Sequence, residues 1–334
     1  MSQAPPFLYP FTFQPRFKER VWGARNLERL YGKALPPGKL IGESWEISDR
    51  PGDASVIANG PLAGRDLRWL MEHHAEWLLG GAAAPGGRFP LLVKILDAQE
   101  ALSLQVHPPA SKAKALGGEP KTEMWYLADT QPDACLYVGL KRGTTRADFE
   151  RRLQDGSVAQ CFQRLPVRPG DAMFLPSGRV HAIGAGCVIF EIQQNSDTTY
   201  RVFDWNRVGL DGQPRELHVA ESLESIDFAD FEPGLLAKAS QLVKGISVRP
   251  LVNDPLFKVD QMELVAGQVN VALVGRPVIV GVLSGKLVVS GGGVTEEIPA
   301  GGFCLIPAST GLPTTMHADG PTSFLRAIPG DSAA

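Results

Sequence analysis

Glycine and proline interrupt this chain so often and so evenly, 36 and 27 times in 334 residues, that long helices have little room to form. Between the breaks lie short apolar or alternating runs, the punctuation of an all-β protein. Strands are expected at 91–96, 101–107, 123–128, 135–139, 172–176, 187–193, 271–275, 278–283 and 286–290. Two helices stand out. In "RDLRWLMEHHAEWLLG", Leu67, Leu70, Met71, His74 and Leu78 recur at spacings of three and four before Gly80 stops the run. In "TRADFERRLQDG", Thr145 and Asp148 have capping-box spacing ahead of Phe149 and Leu153, and Gly156 ends the segment.

The length exceeds a usual single core and suggests about two domains. An internal echo supports that division. "RPGDAMFLPSGRVHAI" at 168–183 matches "PAGGFCLIPASTGLPT" at 299–314, with Gly170 to Pro176 and Gly301 to Pro307 spanning the same interval around an apolar strand. His181 falls opposite Leu312, so a potential metal ligand in the first copy is missing from the second. The β pattern breaks near 228–245, which marks the expected boundary.

A formal charge of -3 offers no basic surface for nucleic acid. The N-terminus lacks a basic start followed by an apolar run, and no stretch is long and apolar enough to span a bilayer, so a cytoplasmic chain without a membrane partner is expected. Cys135, Cys161, Cys187 and Cys304 form no C-x-x-C pair and are expected as reduced, buried thiols.

The strand "LSLQVH" aims Gln105 and His107 at one face. Glu123 heads the next strand, and His181 follows the "PSG" turn. An amide, a carboxylate and two imidazoles suit zinc or another divalent first-row ion. Taken alone, Gln-x-His is equally compatible with a solvated strand face. His73 and His74, about 100° apart on their helix, and the isolated His218 and His317 read as structural. Trp22, Trp45 and Trp125 fit the core better than a sugar wall.

A glycine, five residues, Pro176, then Gly178 and His181 resembles the second metal-binding motif of the cupin barrels. "FPLLVKILDAQEALSLQVHPP", "PKTEMWY", "FLPSGRVHAIG" and "EIQQNSDTTYRVFDW", with "VWGARNLERLYG" and "IGESWEISDRPGDASVIANG" upstream, resemble the short bacterial branch of the type I phosphomannose isomerases across residues 7–230. The resemblance implies a mainly β fold of two cupin-type jelly-roll barrels with a small helical addition to the first. Residues 1–236 would form the catalytic metal-binding unit, and 237–334 a degenerate cupin-like unit without metal ligands. It further implies one zinc ion per chain on Gln105, His107, Glu123 and His181, and interconversion of mannose 6-phosphate and fructose 6-phosphate through an enediol.

By the same resemblance Arg201, Lys121 and Asp197 carry catalytic roles, and Ser103, Lys121 and Arg201 meet the substrate. The base is left among Lys121, Asp197 and a water on the metal. Read structurally, Arg201 would pair with Asp204 or Asp197 and Lys121 would be a solvated loop lysine. Pro109 and Asn195 depart from the family's commoner residues beside the site. Two rival functions are a cupin that binds a sugar phosphate without turnover and an iron oxygenase, against which Gln105 speaks. Oligomeric state is not legible.

Overall fold

The computed structural model describes residues 8–270, 275–310 and 313–331, and most of its regular structure is strand. The run expected at 271–275 and Leu312 of the echo lie outside or largely outside these residues. Of the other strands expected, all form within a few residues of their bounds except 101–107, which shortens to Leu104–Val106. Both helices form. Leu67–Leu79 is capped by the Asp66 carboxylate, which accepts the Trp69 N–H, and Arg146–Gln154 by the Thr145 hydroxyl, which accepts the Asp148 N–H. A further helix, Asn26–Tyr31, was not foreseen.

The strands of the first half make a six-stranded and a five-stranded sheet, those of the second half a six-stranded and a four-stranded sheet, and none of these sheets mixes the halves. Their strand orders correspond. Across the first large sheet run Ala172–Leu175, Glu123–Thr130, Cys187–Gln194, Leu91–Ala98, Ile41–Ile47 and Arg16–Ala24. Across the second run Phe303–Ile306, Val278–Ser284, Thr322–Pro329, Phe257–Leu264, Ile246–Asn253 and Gln241–Val243, in the same relation to chain order. The echo in sequence therefore occupies equivalent edge strands. Gly170 and Gly301, at φ 85° and 76°, turn the chain into them, a conformation that glycine adopts without a Cβ penalty.

The spaces between paired sheets differ in chemistry. In the second half the space is filled by Met262, Val280, Leu287, Val289, Cys304, Met316, Phe324 and similar apolar side chains. In the first, apolar residues such as Leu127, Leu136, Val138, Met173 and Ile189 share the interior with buried Glu43, Lys94, Glu123, His107, His181 and Glu191. The outer faces of the two large sheets meet: Val93, Ile95, Phe190 and Ile192 belong to one buried cluster with Phe257, Ile279, Phe303, Leu305 and Leu325. Phe11 reinforces the joint by exchanging two backbone hydrogen bonds of 2.8 Å with Leu305.

Among the described residues all four cysteines are free and buried. No described helix is long and apolar enough to cross a membrane.

Candidate metal centre and active site

Register brings the site together. Gln105 pairs with His181 on one neighbouring strand and with Arg201 on the other, and directly paired residues share a face. The Gly178 N–H donates to the His107 carbonyl at 2.9 Å, so the Pro176–Gly178 turn is tied to the segment carrying the other imidazole. Gly178 has φ 89°. From the facing sheet, Glu123 enters the same space.

One ligand atom from each of His107, Glu123 and His181 lies within 4.8 Å of the others, and all three residues are buried. His181 Nε2 is 3.2 Å from Glu123 Oε1, and His107 Nε2 is 3.5 Å from Glu123 Oε2. A tetrahedron with bonds of about 2.0–2.1 Å has edges of about 3.3 Å, so these separations fit a zinc-sized ion. The Gln105 amide nitrogen lies 3.2 Å from His181 Nε2, so this side chain reaches the edge of the same cluster. The His181 Nδ1 faces the Arg179 carbonyl at 2.9 Å, which puts its proton there and leaves Nε2 for a metal. Both nitrogens of His107 are buried without a hydrogen-bond partner beside the buried Glu123 carboxylate, which the Lys121 ammonium reaches at one oxygen. Burying these groups together is costly unless a cation also satisfies them.

Burial, aided by the Lys121 charge, pushes the His107 pKa down to about 3, so the ring is neutral and fit to ligate. Burial works the other way on Glu123, but Lys121 and then His107 outweigh it and hold the carboxylate ionised. Lys121 Nζ is 2.9 Å from Glu123 Oε2 and its residue is 5% exposed. The solvated-loop reading of Lys121 is thereby overturned.

Above the cluster opens a cavity of about 600 Å³, lined among others by Ser103, Gln105, Lys121, Asp197, Arg201 and Arg215. Ser103 is buried and Asp197 exposed. Arg201 does not pair with Asp204, as a structural reading would have it. Its Nη1 donates to the Glu216 carbonyl at 2.7 Å and its Nε is buried without a partner. His218, read as partnerless, accepts the Arg201 backbone N–H at 3.3 Å. Trp22 and Trp125 are buried and line the cavity, whereas Trp45 is buried outside its lining. Asn195 donates its amide to the carbonyls of Asp49 and Phe89, a role for this departure in bracing the loop beside the site.

The sequence reading missed a second charged row on the cavity floor. Lys94 Nζ lies 3.3 Å from Glu191 Oε1 and 3.6 Å from Glu43 Oε2. Trp125 Nε1 donates to Glu191 at 2.8 Å and Trp45 Nε1 to Glu43 at 2.7 Å. Burial opposes the Lys94 charge, but Glu191 and Glu43 hold it on. Burial and then the Glu123 charge raise Glu191, while Lys94 and Arg20 overcome burial and lower Glu43 to about 2. The signal was present: Lys94 in "LLVKIL" and Glu191 in "VIFEIQ" are lone charges inside otherwise apolar strands, and Glu43 shares "IGESWEI" with one other charge, Glu46.

A β-sandwich in which buried His107, Glu123 and His181 could hold a metal ion beside a cavity of about 600 Å³ defines a candidate metal-binding site. Residues 11–137 match the phosphomannose isomerase type I catalytic domain. A mannose-6-phosphate isomerase of Streptococcus mutans is 34% identical over 83% of this chain and 85% of its own length. The Bacillus subtilis mannose-6-phosphate isomerase ManA is 42% identical over 65% of this chain and 68% of its own. The crystal structure of a Bacillus subtilis mannose 6-phosphate isomerase superposes with TM-score 0.86 at 31% identity, covering 96% of this chain and 99% of the other. The chain belongs to the type I phosphomannose isomerase family.

Proposed function

We propose that this chain is a zinc-dependent aldose–ketose isomerase interconverting mannose 6-phosphate and fructose 6-phosphate through an enediol. The observation that carries the reading is the grouping of Gln105, His107, Glu123 and His181 beside a cavity that also exposes two lysines, a raised-pKa glutamate and three arginines. Relatives bearing the name of this activity cover most of the chain. In this reading each pair of sheets forms one cupin barrel, residues 1–236 being catalytic and 237–334 a degenerate unit. The four free thiols accord with a cytoplasmic setting.

Gln105, His107, Glu123 and His181 would hold one zinc ion per chain, which would supply Lewis-acid stabilisation of the negative charge that develops on the sugar oxygens. The reaction moves one proton from C2 to C1 of the open-chain sugar. Asp197, exposed at the cavity mouth, assists ring opening. Glu191 takes the C2 proton and returns it to C1, its raised pKa making the ionised carboxylate a stronger base. Lys121 remains positively charged beside Glu123 and donates toward the oxygen that gains charge. Arg201 adds its fixed positive charge to the same wall, and Ser103 donates a hydroxyl to the sugar.

A coupled assay with mannose 6-phosphate, run before and after chelation, tests this. Turnover lost on chelation and restored by zinc is expected. Equal turnover after complete metal removal refutes the metal's role, and substrate binding without turnover by the metal-loaded chain makes it a binding protein.

A further inference from the structure

Two arginines, Arg201 and Arg215, line the cavity at the end remote from the His107–Glu123–His181 cluster. Along the five-stranded sheet the row runs from His181 through Gln105 to Arg201, which sits on the edge strand Tyr200–Phe203. Two strand spacings take this row about 10 Å from the metal ligands, on the order of the length of an open-chain hexose phosphate. Past that edge the chain leaves on a loop and returns at Arg215, which also lines the cavity.

The loop is held in shape. It opens with Trp205 and Asn206 at φ 57° and 55°, left-handed backbone that a tryptophan rarely adopts. Trp205 Nε1 donates to the Leu102 carbonyl at 2.7 Å, and Val208 bridges Pro214 across the loop. Leu210, which lines the cavity, is nevertheless 61% exposed.

Two guanidinium groups meet one buried carboxylate here, and that of Arg201 stands nearby without pairing to it. Arg215 donates to Asp204 through Nε at 2.7 Å and Nη2 at 2.5 Å, and Arg207 Nε donates to the same carboxylate at 3.0 Å. Asp204 therefore answers for one of three charges. Burial and the Arg215 and Arg207 charges push the Arg201 pKa down, although Asp204 opposes them. Asp197 and Asp211 also line the cavity, but both are exposed, and Asp211 accepts the Gln213 N–H. The pair with Asp204 fixes the Arg215 fork while leaving Nη1 outside it.

Resting on the sugar-phosphate reading above, we infer that Arg215 is the residue that selects phosphorylated over free sugar, its preset guanidinium and that of Arg201 receiving the phosphate dianion at the far end of the cavity. A fork held by a carboxylate loses little rotamer freedom when it binds a phosphate, and such charge-assisted pairs are among the stronger hydrogen bonds.

The test compares the metal-loaded parent with Arg215→Gln and Arg215→Lys, using calorimetry with inorganic phosphate and steady-state kinetics with mannose 6-phosphate. In Arg215→Gln, the phosphate Kd and the KM are both expected to rise about tenfold or more, with kcat changing by less than about threefold. Arg215→Lys, which keeps the charge and loses the fork, should fall between. Constants within twofold of the parent in both variants overturn the inference. So does a fall in kcat with KM and phosphate affinity intact, the mark of a mere prop for Arg201. If Arg215→Gln does not fold, the lysine variant decides alone by the same criterion. A parent that binds phosphate but does not isomerise mannose 6-phosphate would sink the isomerase reading and leave the anion site standing, provided Arg215→Gln weakens that binding.

Discussion

Lys121 Nζ and His107 Nε2 both face the same oxygen of Glu123, at 2.9 Å and 3.5 Å. A buried carboxylate so flanked stays ionised, and the lysine side chain lines the cavity beside it. Lys121→Met should therefore keep metal near one ion per chain while lowering kcat about 10²-fold or more. Metal analysis beside kinetics checks it, and activity within threefold of the parent would remove Lys121 from the chemistry.

His107→Ala should lose both metal and turnover. In the parent, chelation should lower the melting temperature because a ligand bound only by the folded state stabilises it, by about 2.7 kcal/mol at a hundredfold excess over Kd. The melting temperature of His107→Ala should be insensitive to chelator. A chelator shift of equal size in both proteins would mean the ion sits elsewhere.

Lys94 is flanked by Glu43 and Glu191, and all three residues are buried. Lys94→Met removes the cation nearest Glu191 and leaves Glu43 only Arg20, and should cost about 3–5 kcal/mol. Adding Glu191→Gln should recover part of that loss. Denaturant unfolding of both single variants and the double gives the coupling, and strict additivity would show that the ion pair contributes nothing.

The acid limb of stability follows from two groups. Glu43 titrates in the folded chain at about 2, below its ordinary value near 4.3, so its contribution is present above about 4.3 and is lost as pH falls toward 2. At 1.36 kcal/mol per pKa unit this is about 3 kcal/mol. In the metal-free chain, His107 is depressed to about 3. The unfolded chain then binds the extra proton, and stability drops as pH falls from about 6.5 toward 3. Melting curves of chelated protein between pH 7 and 3 should show this decline, and Glu43→Gln should flatten its lower part while lowering stability at pH 7. A flat parent profile would contradict both.

Burial raises the thiol pKa values of Cys187, to about 12, and of Cys304. Neither should react with a disulfide reagent until the chain unfolds. Rapid modification of the native protein would show that the core opens far more readily than its packing implies.

The interior strands were legible because the period of their side chains is set by the pleat. "LLVKIL" and "CVIFEIQQ" form the strands Leu91–Ala98 and Cys187–Gln194. The strands at 294–299 and 315–318 were missed: "VTEEIP" and "TMHA" are too short or too polar to stand out, and they exist because Lys286–Gly291 pairs with both and Gly267–Asn270 pairs with the second. Within the site, Gln105 and His107 could be grouped from spacing alone. Lys94, Glu43 and Glu191 were passed over because a charge in an apolar strand has meaning only once its partner across the sheet is known. Arg215 was hidden for another reason, since nothing in a loop's sequence says which strand edge it folds back to meet.

The contact between the outer faces of the two large sheets has a bearing on how this chain can be divided. Buried ionisable groups displace part of the apolar filling between the N-terminal sheets, so that half draws a share of its hydrophobic free energy from the hydrocarbon seam it forms with Phe257, Ile279, Phe303 and Leu325. A fragment cut before the second pair of sheets would carry every ligand and every charge of the site, yet lack the buttress against which that site is braced.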